Sequence, residues 1–234
     1  AEYNITDLLK SGKNEIAVQV MRYSDGSFIE NQDMWRLSGI FRSVSLIAKP
    51  RIHLHDFFIH TTFDKEYKDA TLNVDVFVQN NSGMQTGNHS LEIDLIDPVN
   101  NKVWSQPISK ATGLIENGMI QKVSFLVPVS EPSKWSSEKP NRYILTMTLK
   151  DPMGKTIEST APKIGFRQTE IRDGAVWVNG QMVKLNGVNS HMHHPEKGQA
   201  VPLETLRKDL ELMKQFNINL VRTSHYPPTP EYLD

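Results

Sequence analysis

Four of the eight histidines fall between positions 191 and 225, and their spacing places them where chemistry is done. His191, His193 and His194 lie just beyond one apolar-biased stretch, residues 183–188, and Ser224-His225-Tyr226-Pro227 lies just beyond another, residues 218–221. The two stretches read as parallel strands. In an α/β barrel the loops at the carboxyl ends of such strands build the active site. Neighbouring strands run about 5 Å apart, so His191 and His225 are expected to face one pocket. The competing expectation for the trio is that some of its members only satisfy loop hydrogen bonds or lie exposed. His191-x-His193 is also how some barrel metallohydrolases begin a binuclear site, whose other ligands would have to come from later strands.

A second constellation is Asp33-Met34-Trp35-Arg36, a carboxylate, an aromatic plate and a guanidinium. Sugars are bound by that combination, with charged acceptors taking hydroxyl protons and rings packing on C–H faces. The plainer alternative is an Asp33–Arg36 pair fixing a domain interface around Trp35. Arg222, inside the second strand, would need a carboxylate partner if buried, and support of the loop is its expected role. His53, His55 and His60 sit on strand-like sequence with no acidic cluster beside them and read as structural. No nucleophile elbow or phosphate loop is present, and Asn4-Ile5-Thr6 and Asn88-His89-Ser90 match the glycosylation triplet only at chance level.

The elements that must position these residues follow from periodicity. Residues 16–20 and 44–48 read as strands in a segment too short to close a sandwich, with a turn at Ser24-Asp25-Gly26-Ser27 between them. From residue 51 to 166, Leu72, Val74, Val76 and Val78, then Leu91, Ile93 and Leu95, then Tyr143, Leu145, Met147 and Leu149 alternate with their neighbours. With strands expected near 54–63, 123–129 and 156–166, six or seven short strands emerge, as an immunoglobulin-like sandwich requires. Asn179-Gly180 signals a type I′ hairpin. Pro202 is expected at the first helical position, and Leu203, Leu206, Leu210, Met213 and Phe216 form the stripe of an amphipathic helix. Strand, helix and strand make a βαβ unit.

Composition narrows the function classes. The 234 residues include 26 basic and 27 acidic ones, a formal net charge of −1, so there is no electrostatic case for nucleic acid or an anionic membrane. Zero cysteines remove disulfides, thiolate metal sites and a cysteine nucleophile. The longest apolar runs fall short of the ~20 residues of a bilayer span. The first residues lack both an initiator Met and a signal-peptide profile, so the chain is expected to begin within a longer protein.

Residues 24–28 (Ser-Asp-Gly-Ser-Phe), 32–42 (Gln-Asp-Met-Trp-Arg-Leu-Ser-Gly-Ile-Phe-Arg), Trp135 through Pro140 to Tyr143, Gly187 to Pro195, and Arg222 to Pro227 closely resemble the β-galactosidases of glycoside hydrolase family 2. The resemblance runs over the whole chain, in order. It implies a mostly β fold: residues 1–50 as the end of a jelly-roll sugar-binding domain, 51–167 as an immunoglobulin-like β-sandwich, and 168–234 as the start of the (β/α)8 catalytic barrel. It also implies that Asp33 reaches into the galactose site and helps hold a sodium ion, and that His191 and His225 hydrogen-bond sugar hydroxyls and stabilise the transition state. The parent is expected to be a retaining, homo-oligomeric hydrolase of terminal β-galactosides. Its nucleophile and acid/base glutamates, and its magnesium ligands, are expected beyond Asp234, which leaves this chain alone inactive. Ser190 and Met192 stand where the family often has Arg and Glu. The alternatives are a related family 2 β-glucuronidase or β-mannosidase, a non-catalytic immunoglobulin-like module, and a metal-dependent barrel hydrolase. The compartment, bacterial cytoplasm or periplasm, is left open.

Overall fold

Alternation at a period of two decides most of this molecule. The computed structural model describes residues 2–30, 33 and 35–234. Before residue 51 the described residues contain a 3₁₀ turn, Thr6–Leu8, and one short helix, α1 (Asp25–Ile29). The helix forms where a turn was expected, because Ser24 and Ser27 make a reciprocal capping box. The strands expected at 16–20 and 44–48 do not form. Their alternation is present, but no described residue of this segment joins a ladder, and Ile16 and Val18 stay 64% and 58% exposed.

The first eight strands among the described residues are β1 (Ile52–Phe63), β2 (Ala70–Asn80), β3 (Ser90–Ile96), β4 (Ile108–Ala111), β5 (Ile120–Val129), β6 (Tyr143–Lys150), β7 (Thr156–Thr160) and β8 (Lys163–Ile164). One antiparallel sheet has the order β1-β2-β5; the other has the order β4-β3-β6-β7, with β8 also pairing β6. The inward residues of both sheets form one apolar core. Leu72, Val76, Val78, Leu91, Ile93, Leu95, Leu145, Met147 and Leu149 are all fully buried there. Tyr143 closes one end of that core, edge-on to Phe166 at 4.8 Å, and its hydroxyl accepts the Ser133 N–H at 2.8 Å. This is the immunoglobulin-like sandwich of a mostly β chain. It has one short strand, β4, that periodicity did not reveal, and the expected strand at 156–166 is split into β7 and β8 around Pro162.

A small sheet follows in the order β11-β10-β9, made of β9 (Thr169–Arg172), β10 (Ala175–Val178) and β11 (Gln181–Val183). Its hairpin turn is the expected one, with Asn179 at φ 49° and Gly180 at φ 74°. The Asn179 side chain fastens it, accepting from Gln168 N–H and donating to the Trp135 carbonyl, both at 2.9 Å. Gly180 is required twice over, since a Cβ there would also strike the Tyr67 ring. These bonds place the small sheet with the sandwich in one compact unit, residues 46–186.

The second unit comprises residues 1–45 and 187–234. Its regular part is β12 (Gly187–Ser190), α2 (Leu203–Gln215), β13 (Leu220–Thr223) and a final turn, α3 (Pro230–Leu233). Pro202 caps α2 from outside rather than opening it, and Glu204 occupies the first turn, favourable to the helix dipole. Of the expected stripe only Leu206 is fully buried; Leu203 and Phe216 are exposed. No helix among the described residues is long and apolar enough to cross a membrane.

Two outcomes test this account of the sandwich. Leu145→Ala removes a fully buried side chain and should cost about 2–5 kcal/mol, whereas Leu126→Ala, on the outer face of β5, should change urea-unfolding stability by no more than about 0.5 kcal/mol. The second concerns pH. Ser124 Oγ donates to Asp75 on the facing strand, and Lys122 adds its charge, so the Asp75 carboxyl is held below the usual carboxylate range. A depressed carboxyl pKa contributes stability above the unfolded value of about 3.9, and that stability is lost as pH falls through the folded value. Ser124→Ala should therefore be less stable than the parent at pH 7 and approach it at about pH 3, as measured by urea unfolding at the two pH values.

Candidate functional site

The site begins with a register. β12 and β13 run parallel, with Gly187 opposite Leu220, Val188 opposite Val221, Asn189 opposite Arg222 and Ser190 opposite Thr223. Both strands therefore end level, and Ser224 N–H donates to the Ser190 carbonyl at 2.9 Å, one bond past the ladder. The chain then delivers His191 from one strand and His225 from the other. Their rings meet edge to face, centroids 5.3 Å apart at 82°. His225 is exposed and His191 half-buried.

Arg222 sets the state of His225. Its Nη1 donates to Ser224 Oγ at 3.1 Å and its Nη2 lies 3.3 Å from His225 Nδ1. A guanidinium can only donate, so Nδ1 accepts and the neutral ring carries its proton on Nε2. His225 thereby offers an N–H donor away from Arg222. In His191 it is Nδ1 that is buried, with no hydrogen-bond partner among the described residues.

The three histidines of the first loop do three different things. His194 Nδ1 accepts the Glu196 and Lys197 N–H groups, both at 3.2 Å, and its backbone pairs with Gly198 in both directions. It is a loop-shaping residue. His193 stacks on Trp35, centroids 4.8 Å apart and planes 21° from parallel. His191 faces His225, and Trp35 also stands edge-on to it at 6.1 Å. Trp35 is thus a plate beside the histidine pair, 50% exposed rather than the core of an interface.

Asp33 is exposed, with φ 52°; its neighbours Gln32 and Met34 lie outside the described residues. Neither an Asp33–Arg36 ion pair nor any other ion pair of Asp33 forms among the described residues. The structure therefore brings His191, His225, His193 and Trp35 together, and among the described residues the Asp33 carboxylate is in no ion pair. Among the described residues no three His, Asp or Glu side chains gather closely enough to hold a metal ion.

Sequence reading gave no role to Arg42 or to Tyr226. Arg42 donates to the Gln199 and Pro227 carbonyls, each at 3.4 Å, one on each histidine loop. The Tyr226 hydroxyl is buried without a hydrogen-bond partner among the described residues, and burial pushes its phenol up from the ordinary value while the Arg42 charge pulls it down. Tyr232, whose buried hydroxyl also has no hydrogen-bond partner among the described residues, is pushed up by burial and by Asp209. The only signal for Arg42 was its place at the end of the 32–42 motif.

Three family models match the chain. They are glycosyl hydrolases family 2, sugar binding domain, over residues 1–50; glycosyl hydrolases family 2 over 52–167; and glycosyl hydrolases family 2, TIM barrel domain, over 169–234. A β-galactosidase of Priestia megaterium is 40% identical over 228 residues, 97% of this chain and 22% of its own length. One from Yersinia pestis is 41% identical over 238 residues, 98% of this chain and 22% of its own length. This chain thus spans about a fifth of the length of the curated relatives it matches. Among solved structures, a Bacteroides uniformis β-glucuronidase superposes with a TM-score of 0.70 and 26% identity, over 79% of this chain and 23% of that one.

The stacked pair is directly observable. Ring current from Trp35 should shift the His193 ring protons upfield, so Trp35→Leu should return them toward the free-imidazole position in a histidine-selective NMR spectrum. The His194 ring meets no aromatic ring among the described residues, and its signals should stay in place.

Proposed function

Because this chain belongs to glycoside hydrolase family 2, we propose that it is part of a retaining β-galactosidase that removes terminal non-reducing β-D-galactose. The observation that carries the reading is the His191–His225 pair, 5.3 Å apart at the carboxyl ends of two parallel strands. The name shared by the relatives about 40% identical over nearly the whole chain supports it. In the proposed mechanism the imidazoles hydrogen-bond glycon hydroxyls. His225, its Nδ1 occupied by Arg222, donates from Nε2. Bonds to a sugar hydroxyl that strengthen as the oxocarbenium ion develops lower the barrier. Asp33 accepts a hydroxyl proton, and Trp35 offers a ring face to the C–H side of the sugar.

Cleavage itself needs two carboxylates about 5–5.5 Å apart, one as nucleophile and one as acid/base. The proposal places both glutamates on later barrel strands, outside this sequence. Magnesium and sodium belong to the same proposal. Divalent magnesium takes six oxygen ligands, and Asp33 offers one exposed carboxylate, so these residues alone do not furnish a side-chain cage for either ion. Asp33 is proposed as one sodium ligand, and no step is routed through a metal. A β-glucuronidase is the second reading, favoured by the solved neighbour of that name.

The test compares the purified 234-residue chain with the longer enzyme. The chain should not hydrolyse a nitrophenyl β-galactoside. The longer enzyme should, and His191→Asn or His225→Asn should lower its kcat/KM about 100-fold, the scale for losing one transition-state donor. Turnover by the short chain, or a preference for a nitrophenyl glucuronide, would overturn the proposal.

A further inference from the structure

We infer that Arg42 is a positioning residue whose guanidinium ties together the loops carrying His191 and His225 and sets the distance between the two rings. The inference rests on the reading that these histidines bind the sugar, and it adds a residue that does not touch it. Arg42 is half-buried, and its two arms diverge. Nη1 donates to the Gln199 carbonyl, just past the His194–Gly198 bridge that closes the first loop, and Nη2 donates to the Pro227 carbonyl, two residues beyond His225. One planar group therefore has a bond on each loop. The guanidinium lies 4.7 Å from the centroid of the Phe41 ring, and this cation–π contact fixes its plane.

The neighbourhood of Arg42 supports a clamp rather than a chance contact. Trp35 stacks on His193, and Leu37 comes so close to Gly198 that a Cβ there would stand 3.0 Å from its Cδ1. Residues 35–42 thus meet the first loop at three points, and among the described residues of this stretch only Arg42 hydrogen-bonds the second loop as well. Its charge is also felt by the buried Tyr226 phenol, between His225 and Pro227. A lysine cannot replace it, because an ammonium is a single point and the two carbonyls are reached by separate arms of a fork.

The experiment uses the longer enzyme, with Arg42→Lys and Arg42→Ala, and reads kcat, KM, the thermal midpoint and hydrogen exchange of peptides covering 191–200 and 224–229. A misplaced pair of transition-state donors should lower kcat and kcat/KM together by about 10- to 100-fold, with KM nearly constant. Lys should be no better than about twofold above Ala, exchange should rise in both loops, and millimolar guanidinium should restore part of the Ala variant's kcat. Wild-type kcat in either variant would overturn the inference. So would a loss that follows the fall in thermal midpoint, with no recovery by guanidinium and no change confined to the two loops. The two readings fail differently. If the parent enzyme does not act on β-galactosides, or the His191 and His225 variants keep full kcat/KM, the sugar-binding reading fails, and loop exchange alone then decides whether Arg42 is a clamp.

Discussion

Four residue pairs, from Gly187 with Leu220 to Ser190 with Thr223, fix the register on which the histidine arrangement rests, because parallel strands enter and leave a sheet from the same ends. A tight turn cannot join such strands, so the chain must cross over, and α2 supplies the crossover between the two histidine loops. The period of two then does the local positioning. Arg222 and Ser224 lie on one face of the strand line and reach each other, and from there the guanidinium meets His225. A slip of one residue would turn every side chain of β13 to the opposite face relative to β12 and dissolve the 5.3 Å contact between the His191 and His225 rings.

Polar satisfaction separates the two compact units. In the sandwich the buried Asn80 amide donates to the Met84 and Ile115 carbonyls, both at 2.8 Å, while its oxygen accepts the Ser82 N–H. Among the described residues, the buried side-chain atoms without a partner are His191 Nδ1, Tyr226 OH, Thr229 Oγ1 and Tyr232 OH, all between residues 191 and 232. Each unmade bond of that kind costs roughly 1–3 kcal/mol. Such costs concentrate where a protein keeps donors and acceptors for something other than itself, and here they flank the histidine pair. The core of fully buried aliphatic residues carries no such burden.

The same division explains what could be read in the sequence. β2, β3 and β6 were legible because a strand buried on one face writes its burial into alternate residues, and the Asn179-Gly180 turn because only a few residue pairs accept two positive φ angles. β4 was not, since four residues at a sheet edge, Ile108-Ser-Lys-Ala, bury too little to leave a pattern. Residues 16–20 show the converse: their alternation is as clean, yet a strand exists only when a neighbour completes its ladder, and pattern cannot say whether one does. The histidine pair was legible from its place after two parallel strands. The distinct fates of His193 and His194 were not, because a stack on Trp35 and two bonds from Glu196 and Lys197 have no periodic signature.

Trp35, Leu37 and Arg42 press this point furthest, for they come from a stretch with no helix or strand of its own. An aromatic stack is worth on the order of 1 kcal/mol beyond its buried area, about what it costs to fix the backbone of a single residue. Contacts of that size cannot order eight residues by themselves. They can select one arrangement of a segment that is held by other means, and Leu37 and Ile40, 50% and 54% exposed, are apolar surface through which such holding would act. Position at this site is therefore divided between two kinds of element: a ladder that fixes where the histidine loops begin, and an irregular segment that sets how far apart they stand.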